Sequence, residues 1–106
     1  MKTGKVKINQ KNLQGSMEML RALTHPLRLK ILSFIDKNEQ INVNKIYNTL
    51  KLEQSITSQH LRILRNAGLV NTKRDGKFIY YSINYKNIRM INDTVLKFNN
   101  KDVKRR

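Results

Sequence analysis

The sequence predicts a mainly α chain with one small β-hairpin, an α+β arrangement in the order α-α-α-α-β-β-α. Three observations carry that prediction. Apolar residues recur at spacings of three and four through most of the 106 residues, the period of helices that bury one face. After Gly68 the pattern changes to short β-branched and aromatic runs, and Asp75-Gly76 between them is a two-residue hairpin signal. Finally, Pro26 and Asn42 stand where helices would start, and Gly68 stands where one would stop.

Residues 1–8, MKTGKVKI, have no helical period and read as a loose basic arm. From about Asn9 to Leu23, the spacing of Leu13, Met17, Leu20 and Leu23 predicts a first helix despite Gly15. Met19 and Ala22 widen its stripe enough to touch more than one neighbour. Thr24 or His25 can cap the next helix, and Pro26 suits its first turn, where the missing N–H costs nothing. Leu27, Ile31, Leu32, Phe34 and Ile35 make Pro26 to Ile35 a core helix, with residues 36–39 as a polar turn. Asn42 would cap a short helix from Val43 to Leu50, whose core positions are Val43, Ile46, Tyr47 and Leu50.

Lys51-Leu52-Glu53 then leads into Gln54 to Val70, QSITSQHLRILRNAGLV. Here Ile56, His60, Ile63, Leu64 and Ala67 can share an apolar face, leaving short polar side chains and Arg62 elsewhere. Two short helices joined by a tight turn, the second carrying polar readers, make a helix-turn-helix. The basic hairpin that follows, with the tip Lys73-Arg74-Asp75-Gly76-Lys77, reads as a wing. A last helix opens at Asn84 or Tyr85 and runs to about Phe98, with Ile88, Ile91, Val95 and Phe98 at helical spacing. The domain is therefore expected over residues 9–99, with a basic tail at 100–106.

The charge balance narrows the partner. The chain has 22 Lys+Arg against 7 Asp+Glu, a formal +15. Such an excess repels itself unless a polyanion uses it, and nucleic acid is the usual one. The alternatives are a solubility bias or a lysine-rich composition, and charge alone does not separate DNA from RNA or an anionic membrane. With no cysteine, disulfides, thiolate metal sites and thiol redox sensing are excluded. No apolar run has the length of a membrane span or signal peptide, so the expected compartment is the cytoplasm and no membrane partner is expected. An enzyme finds little support: there is no Ser-His-Asp order, paired carboxylate, phosphate loop or metal cluster.

Three motifs now stand in order: ALTHPLRLKIL at Ala22 to Leu32, S-x-x-S-x-H-L-x-x-L-x-x-A-G-L-V at Ser55 to Val70, and R-x-G-K-x-x-Y-Y at Arg74 to Tyr81. Together they resemble the ArsR/SmtB family of winged helix-turn-helix transcriptional repressors, over about Leu20 to Ile91. The resemblance implies a homodimer joined through its first and last helices, binding an imperfect inverted repeat in a promoter. The apolar stripes agree, and give Leu13, Met17, Leu20, Ile88, Ile91, Val95 and Phe98 as interface residues. The alternative is that both stripes pack into one subunit's core.

The chain departs from the family in its sensing residues. Many members bind metals through cysteines in the first helix of the helix-turn-helix, yet Ile41 to Tyr47 holds no thiol. Others use Asp and His on the last helix, which here offers only Asp93. His25 and His60 have no ligand-spaced partner and read as a helix-start residue and a packed residue. No cofactor and no metal are expected.

The expected DNA contacts fall into two groups. Gln54, Ser55, Thr57, Ser58, Gln59 and Arg62 would face base edges, with Gln59 able to pair bidentately with adenine. Arg62 reads a guanine or a phosphate. Arg65 and the wing residues Lys73, Arg74 and Lys77 would neutralise backbone phosphates. Ile56, Leu61 and Leu64 are assigned to packing. A winged-helix module for RNA or a protein partner is the second reading.

Overall fold

The structure is a computed structural model that describes residues 10–93, with side chains from residue 14 onward. Its order is α1 (Gln10–Leu23), α2 (Pro26–Asn38), β1 (Ile41–Asn42), α3 (Val43–Leu50), α4 (Gln54–Asn66), β2 (Val70–Asp75) and β3 (Phe78–Ile83). A further helix, α5, is described over residues 85–93. This is the mainly helical fold with a small antiparallel sheet that the sequence predicts. The expected arm at 1–8, the tail at 100–106, the side chain of Leu13, and Val95 and Phe98 lie outside the described residues or side chains.

Local chemistry sets the helix ends. His25 caps α2: its Nδ1 accepts from the Leu27 N–H at 3.1 Å, while Pro26 fills the first turn. The Asn42 side chain accepts from the Lys45 N–H at 2.9 Å and starts α3. Asn84 does the same for α5, accepting from the Asn87 N–H at 3.1 Å. α4 ends in a Schellman motif at Gly68, whose φ is +78°. The Gly68 N–H donates to the Arg65 carbonyl, the Leu69 N–H to the Leu64 carbonyl, and Leu64 and Leu69 are both buried beside the turn. The turn between α3 and α4 has no glycine; Lys51 takes the left-handed conformation instead, at φ +57°.

Three expectations need correction here. The helix from Pro26 continues through residues 36–38 instead of turning there. Asn38 supports that extra turn by donating from Nδ2 to the Phe34 carbonyl at 2.7 Å. The hairpin turn is Gly76-Lys77, one residue later than Asp75-Gly76, because Asp75 pairs with Phe78. Gly76 takes φ +65° at the first central position, where a left-handed residue is required. The sheet also has a third strand: Ile41 and Asn42 pair with Tyr81 and Tyr80, giving the order β1-β3-β2. Two residues, the second of them the cap of α3, carry too little alternation to be read as a strand.

The core gathers one face from each element. Met19 and Ala22 of α1, Ile31, Leu32 and Ile35 of α2, Ile46 of α3, and Leu61 and Leu64 of α4 close on Leu69, Val70, Ile83 and Ile91. Ile91, expected at a dimer interface, is buried inside the protomer and is corrected to a core residue. Ile88 is partly buried against the same cluster. Met17 and Leu20 behave differently, standing 49% and 39% exposed on the outer face of α1.

Candidate nucleic-acid interface

The core decides which face of α4 is presented. The buried side chains are Thr57, Leu61 and Leu64, at spacings of four and three. At about 100° per residue, the opposite ridge carries Ser55, Gln59, Arg62 and Asn66, with Ser58 at its edge and Arg65 and Gln54 roughly 90–110° round from it, between ridge and buried stripe. All of these are exposed. Of the six expected base readers, Gln54, Ser55, Ser58, Gln59 and Arg62 lie on the accessible surface.

Thr57 does not. It is fully buried, and its hydroxyl donates to the Glu53 carbonyl at 2.9 Å. That bond to the residue four positions back satisfies the only polar atoms of the side chain, so the methyl can join the core. The assignment of Thr57 as a base reader is therefore corrected. Its counterpart is Ile56, assigned to packing but 38% exposed; Ile63, one turn pair further along, is 42% exposed. Of the apolar face expected from Ile56, His60, Ile63, Leu64 and Ala67, only Leu64 and Ala67 are buried. The buried face lies roughly 90° away, because threonine with a satisfied hydroxyl substitutes for an aliphatic residue.

A polar brace fixes α4 against α2. Arg28 donates from Nε to the Ala22 carbonyl at 2.8 Å and from Nη2 to the Arg21 carbonyl at 3.4 Å. Its Nη1 lies 3.4 Å from Nδ1 of His60. Guanidinium nitrogens only donate, so this His60 nitrogen accepts and the neutral ring carries its proton on Nε2. The His25 ring packs against His60 at 4.7 Å between centroids. Partial burial, then the neighbouring His25 and Arg28, hold the His60 pKa below its ordinary 6.5. His25 therefore caps α2, and His60 packs against it and is hydrogen-bonded to Arg28. Arg28 was not singled out by the sequence; among many surface cations it has no distinguishing local pattern.

The wing stands beside α4. In the hairpin Lys73 lies opposite Tyr80 and Arg74 opposite Ile79, so these two cations occupy opposite faces of the ribbon. Lys77 sits in the turn, its Nζ 5.7 Å over the Phe78 ring, and Phe78 packs against Tyr80 at 6.4 Å. All three cations and Arg65 are exposed. At the base of the wing, Asn87 donates from Nδ2 to the Gly68 carbonyl at 2.8 Å, tying α5 to the end of α4. The Tyr85 hydroxyl donates to Asp36 Oδ1, tying α5 to α2, and this bond raises the Tyr85 pKa.

Among the described residues, no group of three or more His, Asp or Glu stands close enough to hold a metal ion. Nor is any described helix long and apolar enough to cross a membrane.

A helix-turn-helix followed by a basic hairpin defines the chain as a winged helix-turn-helix regulator. The model of the "Bacterial regulatory protein, arsR family" matches residues 25–72. The chain is 42% identical over 78 residues to the transcriptional repressor PagR of Bacillus anthracis, covering 74% of this chain and 78% of PagR. It is 36% identical over 74 residues to the transcriptional activator HlyU of Vibrio cholerae, covering 70% and 68%. The crystal structure of PagR superposes with a TM-score of 0.65 at 41% identity, over 72% of this chain and 86% of that one. An ArsR-like regulator from Rhodococcus reaches a TM-score of 0.78 over 90% and 89%, and at 18% identity it speaks to the fold alone. The chain belongs to the ArsR/SmtB family of transcriptional regulators.

Proposed function

We propose that the chain is a homodimeric transcriptional repressor that binds an imperfect inverted repeat in promoter DNA through α4 and the wing. The observation that carries this reading is the exposed ridge Ser55, Gln59, Arg62 and Asn66, backed by a buried stripe that holds the helix rigidly. Four polar side chains at spacings of four, three and four can follow the floor of a major groove. No side chain caps the start of α4, so its first N–H groups remain available to a phosphate. Lys73, Arg74 and Lys77 extend the basic surface to the flanking backbone.

The exposed Met17 and Leu20 support a dimer through α1, because neither is buried in the core that the described residues form. Likeness to the repressor PagR favours repression over activation. The reading places the protein in the cytoplasm, working without a cofactor or metal.

Selection of bound duplexes from a random pool at physiological salt tests it. Enrichment of an inverted repeat supports a twofold-symmetric DNA reader. An unsymmetric site contradicts the dimer, and no enrichment alongside tight binding to structured RNA contradicts DNA as the partner.

A further inference from the structure

Ile56 is an apolar side chain flanking the exposed ridge of α4, outside the buried core of the described residues. It is 38% exposed. It precedes Gln59 by one turn, roughly 60° around the helix axis and about 4.5 Å along it. Ser55 and Gln59, both on its ridge-facing side, are exposed polar residues. A helix that lays Gln59 against a base edge therefore brings the Ile56 methyl groups to the floor of the groove one or two base pairs away. The only apolar projection on that floor is the C5-methyl of thymine. Exposing a β-branched apolar side chain gains nothing in solution, but burying it against that methyl excludes water from both surfaces.

We propose that Ile56 is a specificity-determining residue that selects a thymine by packing on its C5-methyl group, next to the base pair read by Gln59. The inference rests on the DNA-binding reading above. It assigns the two residues complementary chemistry: Gln59 selects by hydrogen bonds and Ile56 by shape and apolarity. Cytosine at the same position lacks the methyl, and the purines present hydrogen-bonding edges that an aliphatic side chain leaves unpaired.

The test replaces each thymine of the selected duplex, one half-site position at a time, with 2′-deoxyuridine. This substitution removes only the methyl. For the wild-type protein, one position is expected to weaken binding by about three- to fivefold, the effect of losing one buried methyl group. For Ile56→Ala, whose exposed helical position tolerates alanine, thymine and uracil at that position are expected to bind equally. Wild-type indifference to every thymine-to-uracil change overturns the inference while leaving DNA binding intact. So does a uracil penalty that Ile56→Ala retains in full. A pool that enriches no duplex overturns the DNA-binding reading itself, and this inference with it.

Discussion

Arg28 Nη1 and His60 Nδ1 meet at 3.4 Å across 32 residues of sequence, and that contact links α2 to α4. The same guanidinium donates to the last carbonyls of α1, at Ala22 and Arg21, so one side chain joins three helices. Replacing Arg28 with Ala leaves those carbonyls and His60 without their donor. The expected cost is about 1–3 kcal/mol of stability, read as a lower midpoint in urea unfolding with an unchanged slope. Arg28→Lys should recover only part of it, since an ammonium cannot span three acceptors in a fixed fork.

Acid should weaken the same joint. The folded His60 pKa lies below the ordinary 6.5, so between the two values the unfolded chain binds more protons. The stabilisation is fully present above pH 6.5 and is lost progressively as pH falls through the folded value. Protonated Nδ1 can no longer accept from Arg28, and the cation faces both Arg28 and His25. Unfolding followed from pH 8 to pH 5 should therefore show a decline that His60→Gln flattens. Equal pH profiles for the two proteins would remove His60 as its source.

Thr57→Val separates packing from reading. The substitution keeps the shape of the buried side chain and removes the bond to the Glu53 carbonyl. Stability should change by no more than about 1 kcal/mol, because the carbonyl retains the Thr57 N–H at 3.0 Å. Affinity for the selected duplex should stay within roughly twofold. A sequence-selective loss of binding would return Thr57 to the base-reading set.

Gly68→Ala strains the junction between α4 and the wing. A Cβ there meets Asn87 Nδ2 at 3.0 Å, and the backbone φ of +78° disfavours any L side chain. The cost should be at least about 1–2 kcal/mol by thermal or urea unfolding. Asn87→Ala, which clears the space but loses the bond to the Gly68 carbonyl, should not rescue it fully.

Caps were legible because they depend on local chemistry: His25, Asn42, Asn84 and Gly68 all act where their types and positions suggest. The hairpin was legible too, but its turn was misplaced by one residue, since Asp75-Gly76 and Gly76-Lys77 differ only in strand register. Register depends on what the strands meet, here Tyr81 against both Thr72 and Ile41. The buried face of α4 depends on its neighbours in the same way. Ile56 and Ile63 look like core residues and Thr57 like a surface one until the hydroxyl is seen to be satisfied within its own helix. Ile91 and Met17 show the limit for dimer stripes: both have helical spacing, yet one is buried in the protomer and the other is exposed. Only the packing of neighbouring elements separates them.

Base reading by the exposed ridge of α4 depends on Gln59, and Gln59→Ala removes that reader. Dissociation constants for the selected duplex and for a scrambled duplex of equal length, measured at one physiological salt concentration, supply the comparison. The predicted result is a loss of about 1–3 kcal/mol, roughly five- to 150-fold, on the selected duplex and almost none on the scrambled one. An equal loss on both would contradict base reading by this ridge.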